Sequence, residues 1–230
     1  MSNKRALADY NELQKPLYSE NGVFYQIIDE NITRGYACIF GPQDTPYEDC
    51  PMLYEINTTT TYPFDPPKVK FLTHDGKTRF HPNMYVEGKV CLSILGTWSG
   101  PSWASTMRIS TVLVTLQSLM DTQPLRHEPG YENKEGDIHE AYAKFIESAC
   151  LNYTINLIKH AQNNQTLPEP LRPFEEEFKN RIPGILERFE KRLQKLSAGT
   201  EIHFSGLPYG LVGRTNYKMM LDEVLKLKAS

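Results

Sequence analysis

The stretch HPNMYVEGKVCLSIL (81–95) sets His81, Pro82, Asn83 and Cys91 close together in the chain. A thiol, an imidazole and a carboxamide at this spacing admit three readings. Cys91 cuts a bond, carries an acyl group as a thioester, or packs in a core. Bond cutting needs a thiolate raised by an adjacent imidazole base, and a third group to orient that base. His81 and Asn83 are parted by one proline that fixes the backbone, which suits shaping a loop better than building a relay. In thiol proteases these partners are distant in sequence. A thioester carrier asks for the reverse: no strong base beside the loaded thiol, and a donor where negative charge develops as an amine attacks. The neutral amide of Asn83 meets that need. Packing is the commonest fate of a free cysteine. Cys38 and Cys150 fit it, on a strand and a helix face, and Cys50 falls at a strand entrance. Cys91 lies instead in an irregular stretch beside the turn Glu87-Gly88-Lys89. On residue types alone, the chemical and packed readings of Cys91 stand even.

Such residues need a scaffold. VFYQII (23–28), YACIF (36–40), MLYEI (52–56) and KVKFL (68–72) alternate or run apolar between turn-rich pieces, which predicts an antiparallel meander. The prolines of YPFDPP (62–67) cannot donate to a ladder and mark a loop or edge, with a cis bond admissible at Tyr62–Pro63. Ahead of the strands, Ser2 is a candidate cap for a helix carrying Leu7, Tyr10 and Leu13 or Gln14 on one side and ended by Pro16. From Thr73 to about Arg108 no period survives, yet this stretch holds Cys91, His74, His81 and both tryptophans. An irregular segment of that length inside a domain is read as functional. Val112, Leu113, Leu116, Leu119 and Met120 then make a helical stripe with Ser110 as candidate cap, and a second helix spans 136–160 with a break expected near Ala149.

Composition shifts after His160. AQNNQTLPEPLRP reads as a linker. Phe174, Phe178, Ile182, Ile185, Phe189, Leu193 and Leu196 follow at intervals of three and four, with Pro183 read as the first turn of a new helix. This stripe is expected to be the tail's own packing face. EIHF (201–204) predicts a short strand, and a last helix follows with Thr215 as cap.

The whole chain bounds these readings. Its 230 residues, 40% apolar, suffice for one globular domain with an appendage or for two small domains. A formal net charge of -3 gives no ground for nucleic-acid or membrane-surface binding. The four cysteines lack zinc-site spacing, so no metal is expected. The opening MSNKRALADYNELQK has no apolar signal core, and no apolar run approaches the ~20 residues of a bilayer span. The expected compartment is therefore reducing, cytoplasmic or nuclear.

GPQDTPYED, YPFDPPKVKFLT, HPNMYVEGKVCLSIL and the following Trp98 together resemble the ubiquitin-conjugating enzymes (E2 class), from about residue 5 to 160. The most specific element is His81-Pro82-Asn83 with Cys91-Leu92 beginning ten residues after the histidine. ILGTWSGPSW, HEPGYE and PEPLR look like the Z-type subgroup, which is related to the very large inhibitor-of-apoptosis and hybrid conjugating enzymes. The resemblance implies an α+β ubiquitin-conjugating (UBC) fold: a four-stranded antiparallel meander with flanking helices as catalytic core over 1–160, and a helical C-terminal extension over 161–230. It implies that Cys91 accepts ubiquitin, or a ubiquitin-like modifier, from a ubiquitin-activating enzyme and passes it to a lysine of a protein substrate, usually with a ubiquitin ligase. His81 and Pro82 would hold the active-site loop, and Asn83 would stabilise the oxyanion. No cofactor follows from it, and the chain is expected to be a monomer.

The departures shape the rest. Ser93 stands where many relatives carry an aspartate two residues after the cysteine, so that acid's role in placing a lysine does not carry over. Glu128, in RHEPGYE, falls near the acid-before-proline position that many relatives use to orient or deprotonate the lysine; a solvated loop glutamate is an equal reading. Pro63 and Phe64 fall on a ligase-contact loop, and WSGPSWAST is longer than the family's second such loop. Lys4 and Arg5 on the first helix either meet an acidic surface of the activating enzyme or form a solvated face. The Z-type likeness further implies loading by the second ubiquitin-activating enzyme. Two other readings stand beside this one. A catalytically silent ubiquitin-binding variant would usually lack Cys91, and a thiol hydrolase would need a histidine within hydrogen-bond reach of it.

Overall fold

Alternation along a strand sends successive side chains to opposite faces of its sheet. In the computed structural model, which describes residues 2–197 and 201–229, that alternation feeds two cores. Strands β1 (Val23–Ile28), β2 (Asn31–Phe40), β3 (Pro51–Asn57) and β4 (Lys68–Phe71) form an antiparallel meander in chain order. Tyr25, Ala37, Ile39, Met52, Tyr54 and Ile56 enter one core, where they meet α1 (Ser2–Leu13), α3 (Ile109–Leu119) and the first half of α4 (Ile138–Gln162). The intervening residues Tyr36, Cys38, Phe40 and Leu53 enter a second core on the other face. A short helix, α2 (Pro16–Glu20), links α1 to the sheet.

The second face is covered by the C-terminal segment. A 3-10 turn (Glu169–Phe174) leads into α5 (Glu175–Leu196), whose Phe178, Ile182, Ile185, Leu186, Phe189 and Leu193 are buried in the second core. The stripe is therefore not merely the tail's own packing face; it lies on the sheet. Phe178 stacks on Phe40 at 6.5 Å between ring centroids, and the Arg181 guanidinium sits 4.7 Å from the Phe40 ring. Charged bonds fix the register. Arg188 grips both oxygens of Asp49 at 2.6 and 2.8 Å. Arg192 donates to Glu147 and Glu48, each at 2.6 Å, and to the Thr45 carbonyl at 2.9 Å. After α5, a hairpin of β5 (Ile202–Phe204) and β6 (Gly213–Thr215) returns to the first core, and α6 (Tyr217–Lys228) closes the second.

Several local expectations are corrected. α4 is unbroken at Ala149. Pro183 lies within α5 rather than starting a helix. Its ring is on the exposed face, while Ile182 and Ile185 on either side of it keep their places in the core. Ser110 does not cap α3: Arg108 is the N-cap, and the Ser110 hydroxyl donates to Glu12 at 3.0 Å. Asn216, not Thr215, caps α6, its side-chain oxygen accepting from the Met219 amide at 3.1 Å. Ser2 is itself helical and donates to the Thr59 carbonyl at 2.8 Å. Leu7 is exposed, whereas Asp9 is wholly buried.

Removing Arg192 would strand Glu48 and Glu147, both largely buried, without their counter-charge. Arg192→Ala is expected to cost about 3 kcal/mol in urea unfolding at neutral pH. A loss below about 1 kcal/mol, the size of a surface pair, would show that the arginine does not hold the tail.

Candidate active site

The irregular stretch is a small hairpin tied into the sheet. Tyr85 to Lys89 form its turn, with the Tyr85 amide donating to the Lys89 carbonyl at 2.9 Å. Gly88 has φ +98°, and a Cβ there would sit 2.9 Å from the Phe71 carbonyl oxygen, so both conformation and space demand glycine. Beyond the turn, Met84 bridges Val90, and Asn83 pairs with Cys91. That pairing is double. The Cys91 amide donates to the Asn83 carbonyl at 2.9 Å, and the Asn83 side-chain amide donates to the Cys91 carbonyl at 2.7 Å. One N–H of the Asn83 amide thus fixes the cysteine's backbone. Its second N–H makes no hydrogen bond among the described residues.

His81 sets the start of this hairpin. Its Nδ1 accepts the Asn83 backbone N–H at 3.0 Å, and the Met84 amide donates to its carbonyl at 2.9 Å. The ring is fully buried, and burial, with His127 5.1 Å away between ring centroids, pushes its pKa down to about 3. His81 is therefore a neutral structural ring, and Pro82 beside it is buried as well. None of the six histidines serves Cys91 among the described residues. His127 pairs with Asp121 at 2.9 Å, His139 with the Lys134 carbonyl at 2.8 Å, His160 with the Asn156 carbonyl at 2.7 Å, and His203 with Glu201 at 3.3 Å. His74 is exposed and makes no bond to the thiol. The base that a thiol hydrolase needs is missing from the described residues.

Cys91 itself is 2% exposed, yet it joins neither apolar core, although its neighbours Val90 and Leu92 both enter the first. The other three cysteines all belong to a core, which accounts for them as packing residues. Ser93 opens a 3-10 turn (Ser93–Leu95) and faces Gly100, where a Cβ would come within 2.9 Å of the Ser93 Cβ. The long loop after Trp98 thus folds against the residue that replaces the usual aspartate.

Glu128 is not a free loop glutamate. Its Oε2 accepts the Tyr209 hydroxyl at 2.6 Å and lies 4.0 Å from the Arg79 guanidinium. Arg79 also donates to the Pro82 carbonyl, which links Glu128 to the His81-Pro82-Asn83 tripeptide. Sequence reading missed Arg79 and Tyr209, because neither belongs to a periodic stripe or a motif.

The expected partner residues fall on a second region. The Tyr62–Pro63 bond is cis, and the Trp103 indole N–H donates to the Pro63 carbonyl at 2.7 Å. This joins the two loops expected to meet a ligase, and Phe64 is 70% exposed there. The buried Asp9 organises the base of this region. It accepts from Arg5 at 2.9 Å, from Arg108 at 3.2 Å and from the Tyr62 hydroxyl. Arg5 is thus tied inward, also donating to the Ser105 and Met107 carbonyls, whereas Lys4 is exposed. Among the described residues no cluster of His, Cys, Asp or Glu could hold a metal ion, and no helix is long and apolar enough to cross a membrane.

The His81 environment generates a pH prediction. Its pKa is lowered from 6.5 to about 3 in the folded chain, so between these values the unfolded state binds one more proton. Stability contributed by the neutral ring is complete above pH 6.5 and falls as pH drops, by about 1.4 kcal/mol per unit. Urea unfolding should approach that slope between pH 6 and 5 and show about half of it between pH 7 and 6, and His81→Asn should flatten it. An equal slope in the variant would show that His81 is not the group responsible.

The model of the family described as ubiquitin-conjugating enzyme matches residues 5–150. The human protein named ubiquitin-conjugating enzyme E2 Z is 41% identical over 145 residues, covering 62% of this chain and 40% of that protein. Probable ubiquitin-conjugating enzyme protein 17 of Caenorhabditis elegans is 39% identical over 150 residues, covering 61% of this chain and 21% of its own length. The chain therefore spans well under half the length of these relatives. Among solved structures, the E2 domain of a Toxoplasma gondii ubiquitin conjugating enzyme superposes with a TM-score of 0.50 at 28% identity, covering 64% of this chain and 94% of that domain. With the matching region extending over more than half of its residues, the chain belongs to the ubiquitin-conjugating enzyme family.

Proposed function

We propose that the protein accepts ubiquitin, or a ubiquitin-like modifier, as a thioester on Cys91 and transfers it to a lysine amine. The observation that carries this reading is the position of Cys91: alone among the four cysteines it lies outside both cores, doubly bonded to Asn83 and with no histidine beside it. In loading, the Cys91 thiolate attacks the thioester carbonyl carbon of the activated modifier; a new C–S bond forms and the activating enzyme's thiol leaves. In transfer, the lysine nitrogen attacks that carbon, the second Asn83 N–H donates to the oxyanion, and the Cys91 sulfur departs as thiolate. Glu128 orients the incoming amine and takes its proton. Residues 1–160 act as catalytic core, with 161–230 as an extension. Pro63 and Phe64 meet a ligase, and Lys4 with the start of α1 meets the activating enzyme. The Z-type likeness favours the second ubiquitin-activating enzyme as donor.

The near-complete burial of Cys91 is the observation that favours the alternative, a catalytically silent ubiquitin-binding variant. A loading assay decides. The protein is incubated with ATP, ubiquitin and each ubiquitin-activating enzyme in turn, then run on gels with and without thiol reductant. A reductant-sensitive adduct that Cys91→Ala abolishes is the expected result. No adduct with either enzyme, from folded protein, sinks ubiquitin conjugation.

Asn83 gives a second test. Asn83→Ala, loaded and then mixed with free lysine, should discharge about 100-fold more slowly than wild type in a single turnover. Discharge within twofold of wild type would remove Asn83 from the transfer step.

A further inference from the structure

The hairpin of β5 and β6 carries an aromatic residue in an unusual backbone conformation. Tyr209, in the connecting 3-10 turn (Pro208–Gly210), has φ +62°, the left-handed region that bulky side chains rarely occupy. Its surroundings account for the strain. Phe204, Leu207 and Leu211 bury the hairpin in the first core, and Phe204 meets Phe145 of α4 edge-on at 5.3 Å. The hairpin is thus seated by residues other than Tyr209, whose ring packs at the edge of the first core beside Arg79. The ring lies 4.1 Å from the Arg79 guanidinium, which also sits 3.7 Å from the Tyr85 ring. Tyr142 packs edge-on against the Tyr209 ring at 6.2 Å.

The hydroxyl then reaches Glu128 at 2.6 Å. It occupies Oε2, the same oxygen that faces Arg79. Among the described residues Oε1 has no hydrogen-bond partner, and the Glu128 side chain is 27% exposed. A carboxylate held by one oxygen, with the other open to solvent, is a fixed acceptor for an N–H. Arg79, in contact with both tyrosine rings, carries the same restraint to the Pro82 carbonyl.

We propose that Tyr209 of the C-terminal extension is a positioning residue for amine attack: its hydroxyl fixes Glu128 so that Oε1 receives the N–H of the incoming lysine, while its ring holds Arg79 against the active-site loop. This rests on the thioester-transfer reading above. It makes the extension part of the transfer machinery as well as a cover for the sheet.

Tyr209→Phe removes the hydroxyl and keeps the ring. The variant, Glu128→Gln and the double variant are loaded on Cys91 and chased with increasing free lysine in single turnovers. Tyr209→Phe should load and should raise the lysine concentration for half-maximal discharge about fivefold, with the limiting rate within about twofold of wild type. Combined with Glu128→Gln, it should add nothing further, because both changes act through one carboxylate. Loss of thioester to water, measured without lysine, should not move, whereas a loosened fold would change it. Unchanged or faster discharge in Tyr209→Phe, or an undiminished effect in the Glu128→Gln background, overturns the positioning role. Failure of the wild type to load would instead remove the transfer reading, and the positioning role with it.

Discussion

A sheet that is apolar on both faces must be covered on both, and this constraint organises the molecule. Residues 35–40 of β2 are buried without interruption, so neither face of the central strand can meet water. Burying Tyr36, Cys38, Phe40 and Leu53 under the 3-10 turn and α5 removes several large apolar side chains from solvent, each worth roughly 1.5–3 kcal/mol. Between α5 and α6 the chain returns over the first half of α4, where Phe204 meets Phe145 and Tyr209 meets Tyr142. The returning hairpin passes beside the hairpin of Cys91. The contact of Tyr209 with Glu128 and Arg79 follows from a packing requirement on the opposite side of the sheet.

The polar bonds then decide where each layer stops sliding. Apolar contact is non-directional, whereas Arg192 reaches Glu48, Glu147 and the Thr45 carbonyl in one geometry only. Asp9 does the same on the first face, joining α1, Tyr62 and the start of α3. Between these two anchors the irregular stretch holds its shape through main-chain pairing and through side chains that act as backbone surrogates. Thr97 bridges the Val90 and Leu92 carbonyls, and Asp75 receives the Lys77 and Thr78 amides.

Much of this was legible in the sequence, and the gaps have physical causes. Strand alternation and the α3 stripe predict the meander and its central helix, and the spacing of His81, Asn83 and Cys91 picks out the residues that the hairpin brings together. The expected break at Ala149 is a misread change of partner. Tyr142, Phe145, Ile146 and Cys150 face the first core, whereas Ile155, Leu157 and Ile158 face the second, so the stripe rotates around an unbroken helix. Pro183 misleads because its ring points outward while Ile182 and Ile185 keep their places in the core. Asp9, Arg79, Arg192 and Tyr209 are invisible to periodicity for another reason. Each is defined by a partner far away in sequence, and nothing in a local window distinguishes a buried charge from a solvated one.

The distribution of histidines bears on how a thioester here would survive. A loaded carrier faces water at about 55 M and an amine at far lower concentration, so a general base beside the sulfur would favour hydrolysis. His81 is locked neutral by the Asn83 amide and by burial, and the other imidazoles are bonded elsewhere or exposed away from the thiol. Selection of amine over water must then come from orientation rather than basicity at the cysteine. In the proposed transfer, the groups that supply it are the second Asn83 N–H and the open oxygen of Glu128. Both are held by bonds that leave one atom unused, and in Glu128 the holding bond comes from the C-terminal segment. In the proposed transfer, the tail's packing energy therefore bears on the chemistry: it keeps a strained tyrosine seated, and the tyrosine keeps a carboxylate aimed.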